Sequence, residues 1–205
     1  MTQAIGSEAY EGGFASPVFD AQSVFRSLME AMARPGSIGP VTVRAGAPDP
    51  LGPVMAALLL TLCDADTPVW LDAAASSEKA VAAWLGFHTG APVVDEASEA
   101  AFAVVVDGLA LGAIERFAQG TQDYPDRSTT LLVQVESLTD GWPLTLEGPG
   151  IRTRASIAPR GLPDRMADIW AGNNALFPRG VDMVLAAPDA VAALARTTRI
   201  VRGGN

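Results

Sequence analysis

Residues 102–106 read Phe-Ala-Val-Val-Val, an unbroken apolar run of strand length that ends at Asp107-Gly108. A strand with one solvated face alternates apolar and polar residues, so continuous apolarity marks a strand covered on both faces. Val69 to Leu71 and Val181 to Ala186 share this compact apolar character, and Thr129 to Val135 adds a stretch of high β-branched content. Between these runs the apolar period becomes helical. In Pro17 to Gly36, Val24, Phe25, Leu28, Met29 and Met32 recur at three- and four-residue spacing and form one stripe, with Arg26, Ser27, Glu30 and Arg34 on the other side. Asp20 stands where an N-cap belongs, Phe19 and Val24 are placed to close a hydrophobic staple, and Pro35-Gly36 stops the helix.

The remaining segments continue the alternation. Leu51 to Cys63 reads as a helix apolar nearly all round, hence buried on several sides, and Asp64-Ala65-Asp66 closes it. Ser76 is placed to cap a helix running to about Phe87; Leu109 to Phe117 and Leu162 to Leu176 are further helical segments. Short strands are expected at Pro40 to Arg44, after Gly90-Ala91-Pro92, and at Arg196 to Val201. Leu144 to Leu146, the turn Gly148-Pro149-Gly150 and Arg152 to Ile157 suggest a hairpin. The pattern predicts an α/β fold with a mixed sheet and helices on both faces. Without a repeat or linker, residues 16–205 are expected to form a single domain, preceded by a flexible segment at 1–15.

Composition narrows the function. A chain of 205 residues can bury roughly 70% of its unfolded surface, enough for a substantial core. With 14 basic and 23 acidic residues the net charge is -9, which disfavours a general grip on nucleic acid or an anionic membrane. An anionic substrate therefore needs a local basic pocket. Cys63 is the only cysteine, so no intrachain disulfide or cysteine-based zinc site is expected and a reducing compartment is implied. Met1 to Ala15 contains no basic n-region or apolar h-region, and the longest apolar run, Val54 to Cys63, falls well short of the roughly 20 residues of a membrane span. These features predict a cytoplasmic protein.

Several catalytic kits are missing. The sequence holds no GxxxxGK[ST] loop, no GxGxxG after a strand and no GxSxG elbow. The lone lysine, Lys79, points away from the apolar side of its helix formed by Val81, Trp84 and Leu85, which disfavours a Schiff base with pyridoxal phosphate. Asp64 and Asp66 fit either a turn or a divalent-cation DxD pair. His88 fits a helix C-terminus, where imidazole meets the dipole, or an acid-base role. Arg196-Thr197-Thr198-Arg199, with Arg202 beyond, concentrates guanidinium and hydroxyl groups that suit phosphate or phosphonate oxygens. In a strand Arg196 and Thr198 share one face and Thr197 and Arg199 the other, and an exposed edge strand or a subunit interface is the alternative to direct anion binding. Arg26 faces the same choice, with Glu30 one turn on as a partner. Trp70, Trp84, Trp142 and Trp170 read as core or interface anchors, since no basic residues interleave them.

Word order adds what these elements leave open. PVFDAQSVFRSLMEAMARPG (17–36), LTLCDADTPVWL (60–71), Phe87-His88-Thr89 with Ala91-Pro92, Gly148, Gly150-Ile151, Phe177-Pro178, Gly180-Val181-Asp182 and Arg196-Thr197-Thr198 occur in this order. The series resembles the H-subunit family, PhnH, of the bacterial carbon-phosphorus lyase system for phosphonate utilisation, and covers the chain from Ser16 to Val201. Ala195 departs from the proline common in that family before the Arg-Thr-Thr word.

The resemblance implies a three-layer α/β/α sandwich similar to the large domain of pyridoxal-phosphate (PLP) transferases, without PLP; no other cofactor and no metal is expected. It also implies a homodimer assembled with subunits G, I and J, and with K and L. The implied reaction, which needs the G, I and L subunits, displaces adenine from ATP by an alkylphosphonate and leaves the phosphonate on C1 of ribose 5-triphosphate. One cysteine cannot supply the thiolates of the iron-sulfur cluster used in the later cleavage. Arg196, Thr197, Thr198, His88 and Arg26 are the expected anion-facing or interface cluster, with a purely scaffolding role as the alternative.

Overall fold

The computed structural model describes residues 10–201. Residues 1–9 of the N-terminal segment and Arg202 lie outside the described residues. The main sheet is built from β1 at Gly39–Pro40, β2 at Val69–Leu71, β3 at Val93–Val94, β4 at Phe102–Val105, β5 at Thr130–Gln134, β8 at Asp182–Ala186 and β9 at Ala190–Leu194. These seven strands lie in the order β1-β9-β8-β5-β4-β2-β3. Strands β3, β2, β4, β5 and β8 run parallel, while β9 is antiparallel to both β8 and β1. The second sheet has three antiparallel strands, with β6 (Leu144–Glu147) between β10 (Arg199–Val201) and β7 (Ala155–Ile157).

The two-residue period of the strands divides the core into two layers. Val104, Leu132, Val184, Val191 and Ala193 face helices α1 (Pro17–Ala33), α2 (Pro53–Leu62) and α4 (Lys79–Thr89). Ala103, Val105, Leu131, Val133, Met183, Leu185, Ala192 and Leu194 face α5 (Met166–Asn174), the short turns around Ile114 and Phe117, and the small sheet. Apolar residues therefore occupy both faces of β4, β5 and β8, as their unbroken runs predict. No helix among the described residues is long and apolar enough to cross a membrane.

Several expected boundaries move, each for a local reason. Helix α1 starts at Pro17, whose missing N–H costs nothing at the first helical position. Asp20 is thus in the first turn instead of at the cap, and its carboxylate reaches back to accept from the Ser16 N–H at 2.7 Å. The staple does not form, because Phe19 lies inside the helix and is exposed. The face that enters the core is Val24, Leu28 and Ala31, leaving Phe25 and Met29 about half exposed. Asp72, not Ser76, caps the short helix α3 (Ala73–Ser77), and a break at Glu78 separates it from α4. Gly112, with φ +64°, splits Leu109 to Phe117 into two single 3-10 turns. At Pro40 to Arg44 the ladder stops at Pro40. The fully buried strand β9 carries no clear strand signal in its alanine-rich sequence. Trp84 and Trp170 are fully buried, whereas Trp142 is exposed. Trp70 stacks edge-on against Phe117 beneath the Arg116 guanidinium.

Candidate functional site

Strands β2, β4, β5 and β8 start in register at Val69, Phe102, Thr130 and Asp182 and send their carboxyl ends to one edge, the usual ligand side of an open α/β sheet. A cavity of about 280 Å³ opens there between the N-terminus of α2, the loop after β4, the end of β5 and the loop after β8. Gln134 holds it together: its Oε1 accepts from the Gly52 N–H at 2.7 Å and its Nε2 donates to the Pro50 carbonyl at 3.1 Å. Two glycines permit the close approach. A Cβ at Gly108 would lie 2.2 Å from the Gly161 carbonyl oxygen, and one at Gly52 would lie 2.8 Å from Gln134 Oε1.

One strand over, buried Asp72 ties α3 to the loop after β4 by accepting from the N–H groups of Ala75, Val106 and Asp107 at 2.8, 2.9 and 3.1 Å. The charged groups lining the cavity are Asp107 and Glu136, the latter paired with Arg160 at 2.7 Å. Lys79 is exposed at the start of α4 and does not line it. The wall is thus backbone, apolar and acidic, suited to an uncharged group and unsuited to a phosphate.

Arg196, Thr197 and Thr198 form the connection between β9 and β10 and do not belong to a strand, so the expected alternation of faces does not arise. The Arg196 side chain is largely buried and fully engaged. Its Nε donates to both Asp182 carboxylate oxygens at 3.2 Å, one terminal nitrogen donates to Asp182 and to Ser128 Oγ, and the other donates to the Pro125 carbonyl. Asp182 also accepts from the Arg196 N–H at 2.6 Å. The fork thus fastens the start of β8 to the loop before β5. Nearby, the Thr198 carbonyl accepts from Trp170 Nε1 at 2.7 Å and from Asn174 Nδ2 at 2.8 Å, while its hydroxyl is buried without a partner among the described residues.

His88 lies on the other face of the sheet. Its Nε2 is 3.3 Å from the Glu11 carbonyl, which also accepts from Trp84 Nε1, and its ring centre lies 5.0 Å from that of Trp84, tilted, and 5.0 Å from that of Phe87, edge to face. Gly13 passes directly over the imidazole and pairs with Gly46. His88 therefore secures residues 11–13. Arg26 is exposed on α1, and Glu30 pairs instead with Arg34. The five candidate residues do not converge: His88 and Arg196 share no partner and serve opposite core layers.

Asp64 and Asp66 build a turn. The Asp66 N–H donates to Asp64 Oδ1 at 2.9 Å, and the Asp64 N–H donates to Thr67 Oγ1 at 2.6 Å. No group of three or more potential metal-ligating side chains occurs among the described residues. Burial pushes the Cys63 thiol up to about 12. Asp72 and Gln134 were not among the expected site residues. For Asp72 a signal existed, an aspartate directly after a strand and three residues before a helical N–H; for Gln134 none did.

The family model described as bacterial phosphonate metabolism protein (PhnH) matches residues 12–201. The chain is 55% identical over 196 residues to the alpha-D-ribose 1-methylphosphonate 5-triphosphate synthase subunit PhnH of Rhizobium meliloti (strain 1021), covering 96% of this chain and 98% of the relative. It is 32% identical over 180 residues to the putative C-P lyase subunit protein HtxG of Stutzerimonas stutzeri, covering 87% and 85% of the two chains.

Proposed function

The chain belongs to the PhnH family of bacterial phosphonate metabolism proteins, and from that membership we propose that it is a non-autonomous subunit of the carbon-phosphorus lyase system. Working with subunits G, I and L, it takes part in transferring ribose 5-triphosphate from ATP to an alkylphosphonate with release of adenine. The observation that carries this reading is the 55% identity to a named synthase subunit over nearly the full length of both chains. In this reading the protein is cytoplasmic, forms a homodimer through a single domain, and joins G, I and J, with K and L, in one assembly. The seven-stranded mixed sheet with helices on both faces supports the likeness to the large domain of PLP transferases. A Schiff-base role is unsupported, because the lone lysine is exposed and off the cavity.

A scaffolding role is the second reading, favoured by one observation: Arg196 and His88 are both spent on internal contacts. Reconstitution separates the two. The proposal expects that G, I and L without this chain release no adenine from ATP and methylphosphonate, and that adding it restores release. A normal rate in its absence would overturn the proposal. If the chain is a scaffold only, variants lining the cavity at the strand ends incorporate normally, as read by native mass, and turn over normally.

A further inference from the structure

The net charge of -9 makes any concentration of arginine informative, and the arginines gather where the end of α1 meets the turn between β6 and β7. A hollow of about 560 Å³ there is lined by Arg34, Arg152 and Arg154, with Ser37 and Thr153 between them. We infer that this hollow binds a polyphosphate anion, the triphosphate group of a nucleotide or sugar. Arg196 and His88 supply no such site, since both are internally engaged. The inference rests on the proposed function only for the source of the triphosphate; anion binding itself does not depend on it.

The charge balance favours an anion. Arg34 pairs with Glu30, while Arg154 and Arg199 share Glu147 at 2.9 and 3.6 Å. Arg152 has no partner among the described residues and is exposed. Of the three arginines that line the hollow, Arg34 and Arg154 are thus paired with Glu30 and Glu147, and Arg152 is the uncompensated positive charge on an acidic chain. Arg34 lies just beyond the C-terminus of α1, where its positive charge is held favourably by the negative end of the helix dipole and offsets the repulsion that end would exert on an anion. The backbone N–H groups of Arg152 and Thr153 donate to no acceptor among the described residues and remain available to phosphate oxygens.

The scaffold beneath is tight. Gly36 and Gly150 have φ of +87° and +81°, and a Cβ at Gly150 would sit 2.2 Å from the Ala33 carbonyl oxygen. A Cβ at Gly36 would sit 2.6 Å from Ala155 Cβ. The two turns are therefore locked against each other, and the arginines project from fixed backbone. Guanidinium forks suit phosphoryl oxygens bidentately, and a hollow this wide with several separate arginines matches a chain of phosphates better than one carboxylate.

The test is calorimetric titration of the full-length protein with inorganic tripolyphosphate, ATP and adenosine. Tripolyphosphate and ATP are expected to compete for one site with affinity that falls as sodium chloride rises, and adenosine is expected not to bind. Arg152→Ala is expected to weaken tripolyphosphate at least about tenfold with an unchanged melting curve, because Arg152 holds no internal contact. Arg179→Ala, which removes equal charge from another exposed position, is expected to change nothing. The inference is overturned if tripolyphosphate does not bind, if Arg152→Ala binds as the parent does, if Arg179→Ala weakens binding equally, or if a polyglutamate peptide binds the hollow and tripolyphosphate does not. Tight ATP binding with no competing tripolyphosphate would place the nucleotide elsewhere and also overturn it. Incorporation of the parent chain into the lyase assembly, read by native mass, tests the proposed function separately.

Discussion

Replacing Arg196 by alanine distinguishes a structural clamp from an anion-binding residue. In the native protein the guanidinium and the Asp182 carboxylate are 15% and 17% exposed, so the substitution leaves a largely buried carboxylate without its counter-charge. It also removes the donors to Ser128 Oγ and the Pro125 carbonyl. Breaking one side of such a pair costs about 3–5 kcal/mol, a large share of the roughly 5–15 kcal/mol that holds a domain together. At roughly 2–4 °C per kcal/mol for a chain of this size, the melting temperature should fall by about 6–20 °C. Arg196→Lys keeps the charge but loses the planar fork and should fall between parent and alanine variant. Combining Arg196→Met with Asp182→Leu should recover only part of the loss: neither charge is then left alone, but the Arg196 N–H that Asp182 accepts loses its partner. Urea unfolding followed by tryptophan fluorescence is the assay; Trp170 bonds the Thr198 carbonyl and reports on this turn. An alanine variant within about 0.5 kcal/mol of the parent, yet unable to support adenine release, would refute the clamp and return Arg196 to the anion-binding role.

Three further outcomes follow from single contacts. Asp72→Ala removes a helix cap, worth about 1 kcal/mol, and leaves two further N–H groups unpaired at about 1–3 kcal/mol each; a loss of roughly 3 kcal/mol or more is expected, with amide exchange rising at Val106 and Asp107. Gly86 lies within α4 with nothing within 4 Å of a built Cβ, so Gly86→Ala should stabilise the protein by about 0.5–1 kcal/mol, measured by the same urea transition. Burial lifts the Cys63 thiol from 9.0 to about 12, so iodoacetamide at pH 8.5 should modify the unfolded chain and spare the native one. The folded thiol binds its proton more tightly, so its contribution is fully present below about pH 9 and is lost as pH rises toward 12. The loss runs at about 1.4 kcal/mol per pH unit. Cys63→Ala should lack that slope, and equal slopes in both proteins would contradict the burial argument.

The sheet was legible where one physical cause dominated. Phe102 to Val105, Val69 to Leu71, Thr130 to Gln134 and Asp182 to Ala186 are covered on both faces, and burial of both faces is the main cause of continuous apolarity at strand length. Strand β9 was not legible, because Ala-Val-Ala-Ala-Leu has no alternation and a single β-branched residue, and is a strand through the ladders that β8 and β1 offer it. The cap at α1 was misplaced by a similar competition. Asp20 and Pro17 both signal a helix start, and proline at the first position prevails because the Asp20 side chain can still satisfy the Ser16 N–H from inside the first turn.

The site was less legible than the fold, because residue type does not reveal where a charge is spent. Arg196-Thr197-Thr198 carries the same groups whether it faces a phosphate or Asp182; what decides is the presence of Asp182, Ser128 and Pro125, which chain distance hides. Arg34 and Arg152 show the converse. Each looks like an ordinary surface arginine in its own segment, and only the close passage of Gly150 against the Ala33 carbonyl brings them to one hollow. The usable signal was therefore glycine rather than arginine: Pro35-Gly36 and Gly148-Pro149-Gly150 are both turns with positive φ, and turns that must approach another backbone closely cannot carry a Cβ. Arginines flanking such glycines are held by rigid backbone on an otherwise acidic protein, a better sign of an anion site than a dense run of basic and hydroxyl groups.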